Sequence, residues 1–351
     1  MRYRSLLFFV ALASPAFAGP PATAPYPPSP VIREIRWASV PQIIRRGVAP
    51  DGSDCWPVTW ADDGDLYTAY GDGFGFEPFV PKKVSLGVAK VSGMPPDFQG
   101  SNLRSPANEW FGNGKVGRKA SGMLMVDGVL YMLARNLGNS QVAWSRDHGA
   151  TWTWADWKFT TSFGCPTFLN FGQNYAGARD RFVYIYSPDQ NDAYGAADRM
   201  VLARVPQDRI PEQDAYEFFA GTTAAGGATW TKDIAQRAAV FANPGHCYRG
   251  GIAYDPALHR YLWCQILPES TNAGGPRFQG GFGVYDAPEP WGPWTTADYH
   301  PVWDVGPGES SNFPTKWMAA DGHSAWLVSS GNDNFSVRHA EFVLNDGQLS
   351  P

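Results

Sequence analysis

Two aspartates flank a short hairpin near the start of the chain, and their spacing gives the first indication of chemistry. The stretch 54–76 has two runs rich in Val, Thr, Trp and Tyr around an Asp-Asp-Gly-Asp turn, where Gly64 can adopt a positive φ. Asp54 precedes the first strand and Asp72 follows the second, so an antiparallel hairpin places both acids at its open end. Paired carboxylates suit general acid–base chemistry, in which one group gives a proton and the other accepts one.

The element that must position these acids is one unit of a repeat. A hairpin followed by a third strand recurs along the chain, and five such units can be recognised, at 56–91, 122–145, 167–205, 251–285 and 315–340. Radial closure hides all but short sheet edges, so the repeat predicts an all-β, five-bladed β-propeller with four-stranded antiparallel blades. We assign residues 31–351 to this single domain and expect the stretch 31–40 to add a closing strand to the last blade.

The predicted fold also selects the residues that share one face with the two aspartates. Loops that lead into innermost strands and loops that join second to third strands emerge together at the mouth of a propeller. This places Glu309 beside Asp54 and Asp72, and we take these three as catalytic candidates, with Glu309 as a candidate proton donor. Crowded carboxylates should raise the pKa of at least one of them. Any of these acids could instead cap a loop.

Other mouth residues are candidates for binding a substrate, because they offer aromatic faces or polar groups. Trp110 lies in a long loop, and Phe74 follows Asp72 in a glycine-rich stretch. The Trp residues within strands are expected to be blade core instead. The candidate substrate-binding residues are Trp110, Phe74, Arg249, His246, Asp189, Asn332 and Asp333; the same rule also brings Lys119, Arg135, Asn136 and Tyr194 to the mouth.

Composition and the first residues indicate an exported protein. Residues 1–18 combine a basic start, an apolar run and an Ala-Phe-Ala end, which is typical of a secretory signal peptide. The Pro-rich stretch 19–30 is expected to be a stiff spacer outside the fold. The formal net charge of −5 argues against nucleic acid as a partner. We therefore expect a secreted or periplasmic monomer without a membrane span.

The four cysteines form an even set, and export to an oxidising compartment predicts at least one disulfide among Cys55, Cys165, Cys247 and Cys264. Hairpin register argues against one pairing. The residue opposite Cys264 should be near Gly251, which leaves Cys247 beyond disulfide reach of Cys264.

Metal and cofactor motifs are scarce. The sequence has no phosphate-binding loop, no Gly-x-Ser-x-Gly elbow and no His-Glu-x-x-His. The acidic stretches 62–65 and 332–334 could hold structural calcium, but hairpin turns explain both more simply. We predict no cofactor and no catalytic metal.

Three segments resemble known proteins. The stretches 56–73 and 285–294, together with Ser145-Arg-Asp-His-Gly-Ala-Thr-Trp152, are similar to five-bladed propeller glycosidases. In particular they resemble a bacterial domain family that long had no function and that includes endo-acting D-arabinan hydrolases. The last segment matches the Asp-box, a turn between the outer strands of a blade. The resemblance implies a glycoside hydrolase acting on a polysaccharide, with catalytic carboxylates at the mouth, as Asp54 or Asp72 would be.

Two alternatives stay open on the sequence alone. Sialidases share the Asp-box and need an arginine cluster, for which Arg45, Arg118, Arg249 and Arg338 are the candidates. A propeller that binds polysaccharide without cutting it would show an aromatic platform and no acids. Two inward-facing carboxylates within about 10 Å would favour the enzyme.

Overall fold

The computed structural model describes residues 23–49, 52–268 and 279–345, and its strands fall into five groups, of which the third and fourth join into one sheet through a parallel pair of inner strands. The predicted signal peptide and residues 19–22 lie outside the described ranges. Two strands come first, β1 (Ile32–Trp37) and β2 (Ile44–Arg46). The first blade contains β3 (Asp54–Trp60), β4 (Leu66–Gly71), β5 (Gly87–Ser92) and β6 (Gln99–Asn102). The second contains β7 (Lys119–Val126), β8 (Val129–Arg135), β9 (Gln141–Ser145) and β10 (Thr153–Trp154).

The third blade is the most elaborate. It contains β11 (Thr167–Asn170), β12 (Phe182–Pro188), β13 (Ala197–Pro206), β14 (Glu217–Thr222) and β15 (Ala228–Thr231), and β16 (Phe241–Cys247) pairs with the other end of β13. The fourth contains β17 (Gly250–Asp255), β18 (Arg260–Pro268), β19 (Gly280–Ala287) and β20 (Thr295–His300). The fifth contains β21 (Ser311–Asn312), β22 (Ser324–Ser329) and β23 (Phe335–Leu344), with β1 and β2 beside β23.

The five groups close into a ring around one axis. The innermost strands β3, β7, β11, β17 and β21 contact one another in that order, and β21 returns to β3. The arrangement is the predicted all-β propeller, built on five innermost strands, but the third group has more than the four strands predicted and its β11 pairs parallel with β17 of the fourth. Regular helix within the described ranges is limited to short 3-10 turns, at Val40–Gln42, Gly114–Val116, Gln173–Tyr175, Gln207–Arg209, Gln213–Ala215, Ile234–Gln236, Thr315–Trp317 and Gly331–Asp333. None of the helices in this part of the chain has the length and apolar composition needed to cross a membrane.

The N-terminal strands close the ring. β1 pairs antiparallel with β23, with Ile35 opposite Phe342, and β2 pairs with the other end of β23. Both of these side chains are buried. The outer edge of the last blade is therefore supplied by residues from the start of the chain, as expected for the stretch 31–40.

Aromatic and branched side chains fill the spaces between neighbouring blades. Trp56 and Trp263 lie in strands and are at most 1% exposed, which confirms that these two strand tryptophans form core. Trp317, which lies in a 3-10 turn, is equally buried. Trp56 packs against Tyr70 and, across the ring closure, against Phe335. Burying such large rings contributes much of the apolar stabilisation that holds one blade against the next.

Part of the Pro-rich segment belongs to the fold, so the expectation of a detached spacer is wrong for the residues around Ser29. The backbone N–H of Ser29 donates to Thr296 O at 2.8 Å, and its Oγ donates to Asp286 at 3.0 Å. Tyr26 packs against Phe241 with ring centroids 4.8 Å apart. The segment is extended, as Pro favours, but its backbone and one aromatic ring find partners on the fourth blade and on β16.

The inner strand of the fifth blade begins earlier than predicted. The stretch 315–318 was expected to be that strand, but residues 315–317 form a 3-10 turn and β21 lies at Ser311–Asn312. Pro314 precedes the turn with φ −60° and cannot donate a backbone hydrogen bond to a ladder. Glu309 still leads into the innermost strand, which is the feature that matters for the site.

The predicted disulfide is absent, since the four cysteines are free and buried in the structure. Cys264 does pair in register with Gly251, as expected, while Cys247 lies at the end of β16. Cys55 and Cys165 line one small cavity near the ring axis. The even count reflects four separately buried thiols, not two bridges.

The segment 145–152 forms the tight turn between β9 and β10. Asp147 accepts hydrogen bonds from the backbone N–H of Thr151 at 2.9 Å and from its hydroxyl at 2.6 Å. These bonds lower the pKa of Asp147 to about 2. Trp152 donates its indole N–H to Asn108 of the neighbouring loop at 2.8 Å. The segment therefore has a structural role at the outer edge of its blade.

Candidate active site

The open end of the first hairpin holds two carboxylates, as the sequence predicted. Asp54 starts β3 opposite Gly71, and a Cβ on Gly71 would lie 2.4 Å from Asp54 Oδ1. Only glycine leaves room for that carboxylate. Cys55 and Trp56 both have positive φ, of 74° and 70°, where β3 bulges against β4. Such backbone strain is concentrated at functional sites.

Lys119 connects the two aspartates. Its Nζ lies 2.7 Å from Asp72 Oδ2 and 3.4 Å from both oxygens of Asp54. The Lys119 and Asp54 side chains are each 2% exposed. Burial alone would lower the pKa of Lys119, but the carboxylates of Asp54 and Asp72 raise it above its ordinary value. The lysine is therefore a buried cation shared by two acids.

Asp72 has one occupied oxygen and one open oxygen. Its Oδ2 also accepts the backbone N–H of Gly114 at 2.9 Å. Its Oδ1 is buried and has no hydrogen-bond partner within the described ranges. An orphaned buried carboxylate oxygen is costly unless a water or ligand completes it. The open oxygen thus marks a position for a hydroxyl group.

Glu309 provides the third carboxylate, and two arginines hold it. Its Oε2 accepts from both Arg135 and Arg249, which are 1% and 4% exposed. Arg249 is further fixed by the carbonyl of Ala193, to which its Nε donates at 2.9 Å. Ser330 Oγ accepts the Glu309 backbone N–H. Arg135 and Arg249 therefore fix the carboxylate, and Ser330 fixes the backbone of the same residue.

The three acids share one electrostatic environment. Asp54, Cys55 and Glu309 place potential ligand atoms within 4.8 Å of one another. Burial and the charge of Glu309 raise the pKa of Asp54, against the opposing effects of Lys119 and Arg135. This agrees with the expectation that crowding raises the pKa of one mouth carboxylate. Lys119, Arg135 and Arg249 place three cations beside these acids, so the charge does not favour a metal ion at this point.

A cavity of about 250 Å³ opens beside the carboxylates, lined by Lys115, Asn136, Gly138, Asn139, Gly164, Asn191, Asp192 and Tyr194. Tyr194 separates it from the arginines. Its hydroxyl accepts from Arg135 at 3.3 Å and from Asn136 at 2.9 Å. A second cavity, of about 10 Å³, lies at the ring axis between Cys55 and Glu309 and has room for about one water molecule.

Several predicted binding residues have other contacts. Asp189 forms ion pairs with Arg199 and Arg237, each at 2.7 Å. Burial alone would raise the pKa of Asp189, but a hydrogen bond from Ser162 and the two arginines lower it. Both of its oxygens therefore have arginine partners within the protein. Trp110 has the guanidinium of Arg118 over its ring at 3.8 Å, which covers the face that we expected to stack on a sugar.

The remaining candidates divide differently. Arg249 joins the cluster, whereas Phe74 packs against the core between the first and fifth blades. His246 lies on β16, and no contact with the cluster is found for it in the described part of the chain. Asn332 and Asp333 have positive φ, and the Asp333 carbonyl accepts from Ser53 N at 2.6 Å. They fix the junction between the first and last blades.

Sequence reasoning placed Lys119, Arg135 and Tyr194 at the mouth but gave them no role. Lys119 is the first residue of β7 and Arg135 the last residue of β8, so the signal was their position at strand ends. Charged residues are rarely fully buried unless they are paired. Their partners come from other blades, and only the closed ring brings these together.

Comparison with known proteins supports the fold. No family model matches the chain, and no curated protein matches it. A protein from Bacteroides ovatus that is provisionally described as a hydrolase has 12% sequence identity and a TM-score of 0.50, over 85% of this chain and 87% of that chain. A glycosyl hydrolase from the same species has 12% identity and a TM-score of 0.49, over 84% and 87%.

A GH43 β-xylosidase/α-arabinofuranosidase from a compost microbial metagenome has 13% identity and a TM-score of 0.45, over 90% of this chain and 97% of that chain. Among these three structures, the first reaches 0.50, and at this identity it shows a shared fold alone. The other two structures have TM-scores below 0.50. An activity for the chain must therefore be argued from its own site.

Proposed function

We propose that this chain is an exported glycoside hydrolase that cleaves a polysaccharide with the carboxyl groups at its propeller mouth. One observation carries the proposal: Asp54 lies between two further carboxylates. Lys119 Nζ connects it to Asp72, and Glu309 is within 4.8 Å. Glycoside hydrolysis needs such a set, because one acid protonates the leaving oxygen while another assists the attack.

Asp54 is suited to the role of proton donor. Burial and the neighbouring Glu309 raise its pKa, so its carboxyl group keeps a proton to higher pH than an exposed aspartate would. It would donate that proton to the glycosidic oxygen as the bond to the anomeric carbon breaks. The role fits Asp54 better than Glu309, the other candidate donor, because two arginines occupy Glu309.

Asp72 is suited to be the second carboxylate. Lys119 and the Gly114 N–H occupy Oδ2, while Oδ1 stays open in a buried position. That oxygen would accept a proton from the water that attacks the anomeric carbon. Glu309 then acts on Asp54 by holding a negative charge nearby, which keeps the donor protonated.

The substrate proposal rests on the sequence resemblance. The hairpin at 56–73 resembles that of endo-acting D-arabinan hydrolases, so an arabinofuranose-containing polymer is the first substrate to try. The predicted signal peptide supports export of the chain to a compartment outside the cytoplasm, where such polymers occur. The net charge of −5 supports a carbohydrate partner over nucleic acid.

The two alternatives fit the geometry less well. Among the sialidase candidates, Arg338 pairs with Asp304 at 2.6 Å, and Arg118 lies between Trp110 and Trp154. Arg249 reaches the cluster but is bound to the chain's own Glu309. A binding module without catalysis would not need three converging acids.

The test is hydrolysis of a panel of cell-wall and plant polysaccharides by the mature protein, read as released oligosaccharides. We expect cleavage of at least one neutral polymer, and loss of that cleavage in Asp54→Asn and Asp72→Asn. Failure of the wild-type protein to release any product, or full activity in both variants, would refute the proposal.

A further inference from the structure

We infer that the 250 Å³ cavity between the second and third blades is a subsite for one neutral sugar unit, next to the bond that is cleaved. The inference rests on the proposed function and adds the place and chemistry of substrate binding. The cavity is formed by four loops of the mouth face, which contribute Lys115; Asn136, Gly138 and Asn139; Gly164; and Asn191, Asp192 and Tyr194.

The cavity wall is built to a fixed shape. A Cβ on Gly164 would lie 2.4 Å from the backbone nitrogen of Asp192, so only glycine permits the close approach of the two loops. Asn191 Oδ1 accepts from Ser162 N at 2.6 Å and ties the loops together. Asp192 Oδ1 accepts from Tyr194 N at 2.7 Å and fixes the turn that carries the tyrosine.

Two contacts join this wall to the catalytic carboxylates. Lys115 follows Gly114, whose N–H holds Asp72 Oδ2 at 2.9 Å. Tyr194 accepts from Arg135, which in turn holds Glu309. A ligand in the cavity would therefore contact Lys115, next in the chain to the Gly114 that binds Asp72, and Tyr194, which binds the arginine that holds Glu309. This arrangement is expected of a subsite close to the scissile bond.

The chemistry of the lining matches a polyhydroxylated, uncharged ligand. The Lys115 ammonium lies over the Tyr194 ring at 4.8 Å, and no hydrogen-bond partner is found for it among the described residues. The Asn191 amide nitrogen likewise has none in the described ranges, so both are donors for ligand oxygens. Asp192 Oδ2 is an acceptor, because only its Oδ1 is used by the turn. Sugar hydroxyls need donors and acceptors together.

Charge separates a neutral sugar from an acidic one. One cation and one carboxylate face the cavity, so its lining has no net charge to attract a uronate. A neutral oligosaccharide should therefore bind better than an anionic one of similar length.

The experiment measures binding to the Asp72→Asn protein, in which hydrolysis is suppressed. Arabinotetraose, xylotetraose and trigalacturonate are titrated calorimetrically into this protein and into versions that also carry Lys115→Met or Asp192→Asn. The matched control is Asp321→Asn. Like Asp192, Asp321 caps a turn by accepting a backbone N–H from the residue two positions on, here His323 at 3.0 Å. Asp321 lies in the first hairpin of the fifth blade, at the face opposite the mouth.

We expect one neutral tetrasaccharide to bind. Each subsite substitution should raise its dissociation constant by about tenfold, which is the effect of losing one hydrogen bond to a charged group. The control should change it less than about twofold. With Asp72 intact, the same substitutions should raise KM and leave kcat nearly unchanged.

Unchanged affinity in both subsite variants, or tighter binding of trigalacturonate, would overturn the subsite. So would a protein that hydrolyses a neutral polymer but binds no neutral tetrasaccharide. These results would leave the proposed function standing, whereas an absence of hydrolysis by the wild-type chain would refute the function itself.

Discussion

Asp54 and Glu309 bring carboxylate oxygens within 4.8 Å of each other, although one begins the first blade and the other leads into the fifth. Ring closure at β21 and β3 creates this contact. The two groups are not equivalent, because Asp54 contacts Lys119, which also binds Asp72, whereas two arginines bind Glu309. Their proximity raises the pKa of Asp54 after burial has already raised it, and the predictions follow from this asymmetry.

Asp72→Asn should lower turnover by a factor of about 10² or more, because general acid–base groups typically contribute 10² to 10⁴. The amide can still accept the Gly114 N–H, and Lys119 keeps Asp54 as its partner. Melting temperature should therefore fall less than in Glu309→Gln, which leaves two buried arginines without their shared carboxylate. Activity assays and thermal denaturation of the variant and of Asp321→Asn measure both effects. Near-complete activity in Asp72→Asn would show that Asp72 only caps the loop.

Glu309→Gln should shift the basic limb of the pH–rate profile to lower pH. Its negative charge helps to raise the pKa of Asp54, so a neutral glutamine lets the donor lose its proton earlier. The substitution should also destabilise the fold by about 3–5 kcal/mol, because Arg135 and Arg249 lose the carboxylate they share. A pH profile of kcat/KM and a urea titration check these outcomes. A basic limb that stays in place would separate Glu309 from the donor.

Much of this arrangement follows from local sequence. The hairpin register that sets Asp54 opposite Gly71, and the turn formed by residues 145–152, depend on neighbouring residues and on Gly, Asp and Ser chemistry. The five-fold repeat also fixes which loops reach the mouth. The fold, and the meeting of Asp54, Asp72 and Glu309 near one another, could therefore be predicted from the amino-acid sequence.

The contacts of individual side chains could not be predicted from the sequence. Asp189 resembles a mouth acid in sequence, yet Arg199 and Arg237 hold it, and Arg237 lies well beyond its blade's second strand. Trp110 resembles a stacking residue, yet Arg118 covers it. Lys119 and Arg135 are buried only because other blades bring acids to them. Lys119 and Arg135 depend on packing between blades, whereas Asp189 and Trp110 are held by residues of their own blade or loop. The repeat pattern carries no signal for either kind of contact.

Asp54→Asn should make the protein relatively more stable as pH rises. The folded-state pKa of Asp54 lies above its unfolded value near 3.9, so the folded chain holds more protons than the unfolded chain between the two pKa values. Stability contributed by this group is complete below the unfolded pKa and is lost as pH rises through the folded pKa. Melting temperatures of both proteins from about pH 4 to 8 should diverge in favour of the variant. A constant difference would contradict the raised pKa.

The four thiols should be reduced and protected in the native protein. Burial raises the pKa of the Cys247 thiol to about 12, and burial likewise raises those of Cys55 and Cys264. Thiolate is the reactive form, so alkylation should be slow until the protein unfolds. Mass analysis after treatment with iodoacetamide, with and without denaturant, should give no label and then four labels. A mass that shows a disulfide in the unreduced protein would contradict the observed free cysteines.

The loss of rate caused by removing the proton donor should depend on the leaving group of the substrate. Asp54→Ala should lower the rate on a natural polymer by about 10² to 10⁴, because the departing sugar oxygen then leaves without a proton. A nitrophenyl glycoside of the same sugar has a leaving group that needs no proton, so its cleavage should fall far less. Asp72→Asn should slow both substrates, since attack at the anomeric carbon is needed in each case. Comparison of kcat/KM for the two substrates in both variants assigns the roles. Equal losses on polymer and nitrophenyl glycoside in Asp54→Ala would remove Asp54 from the donor position.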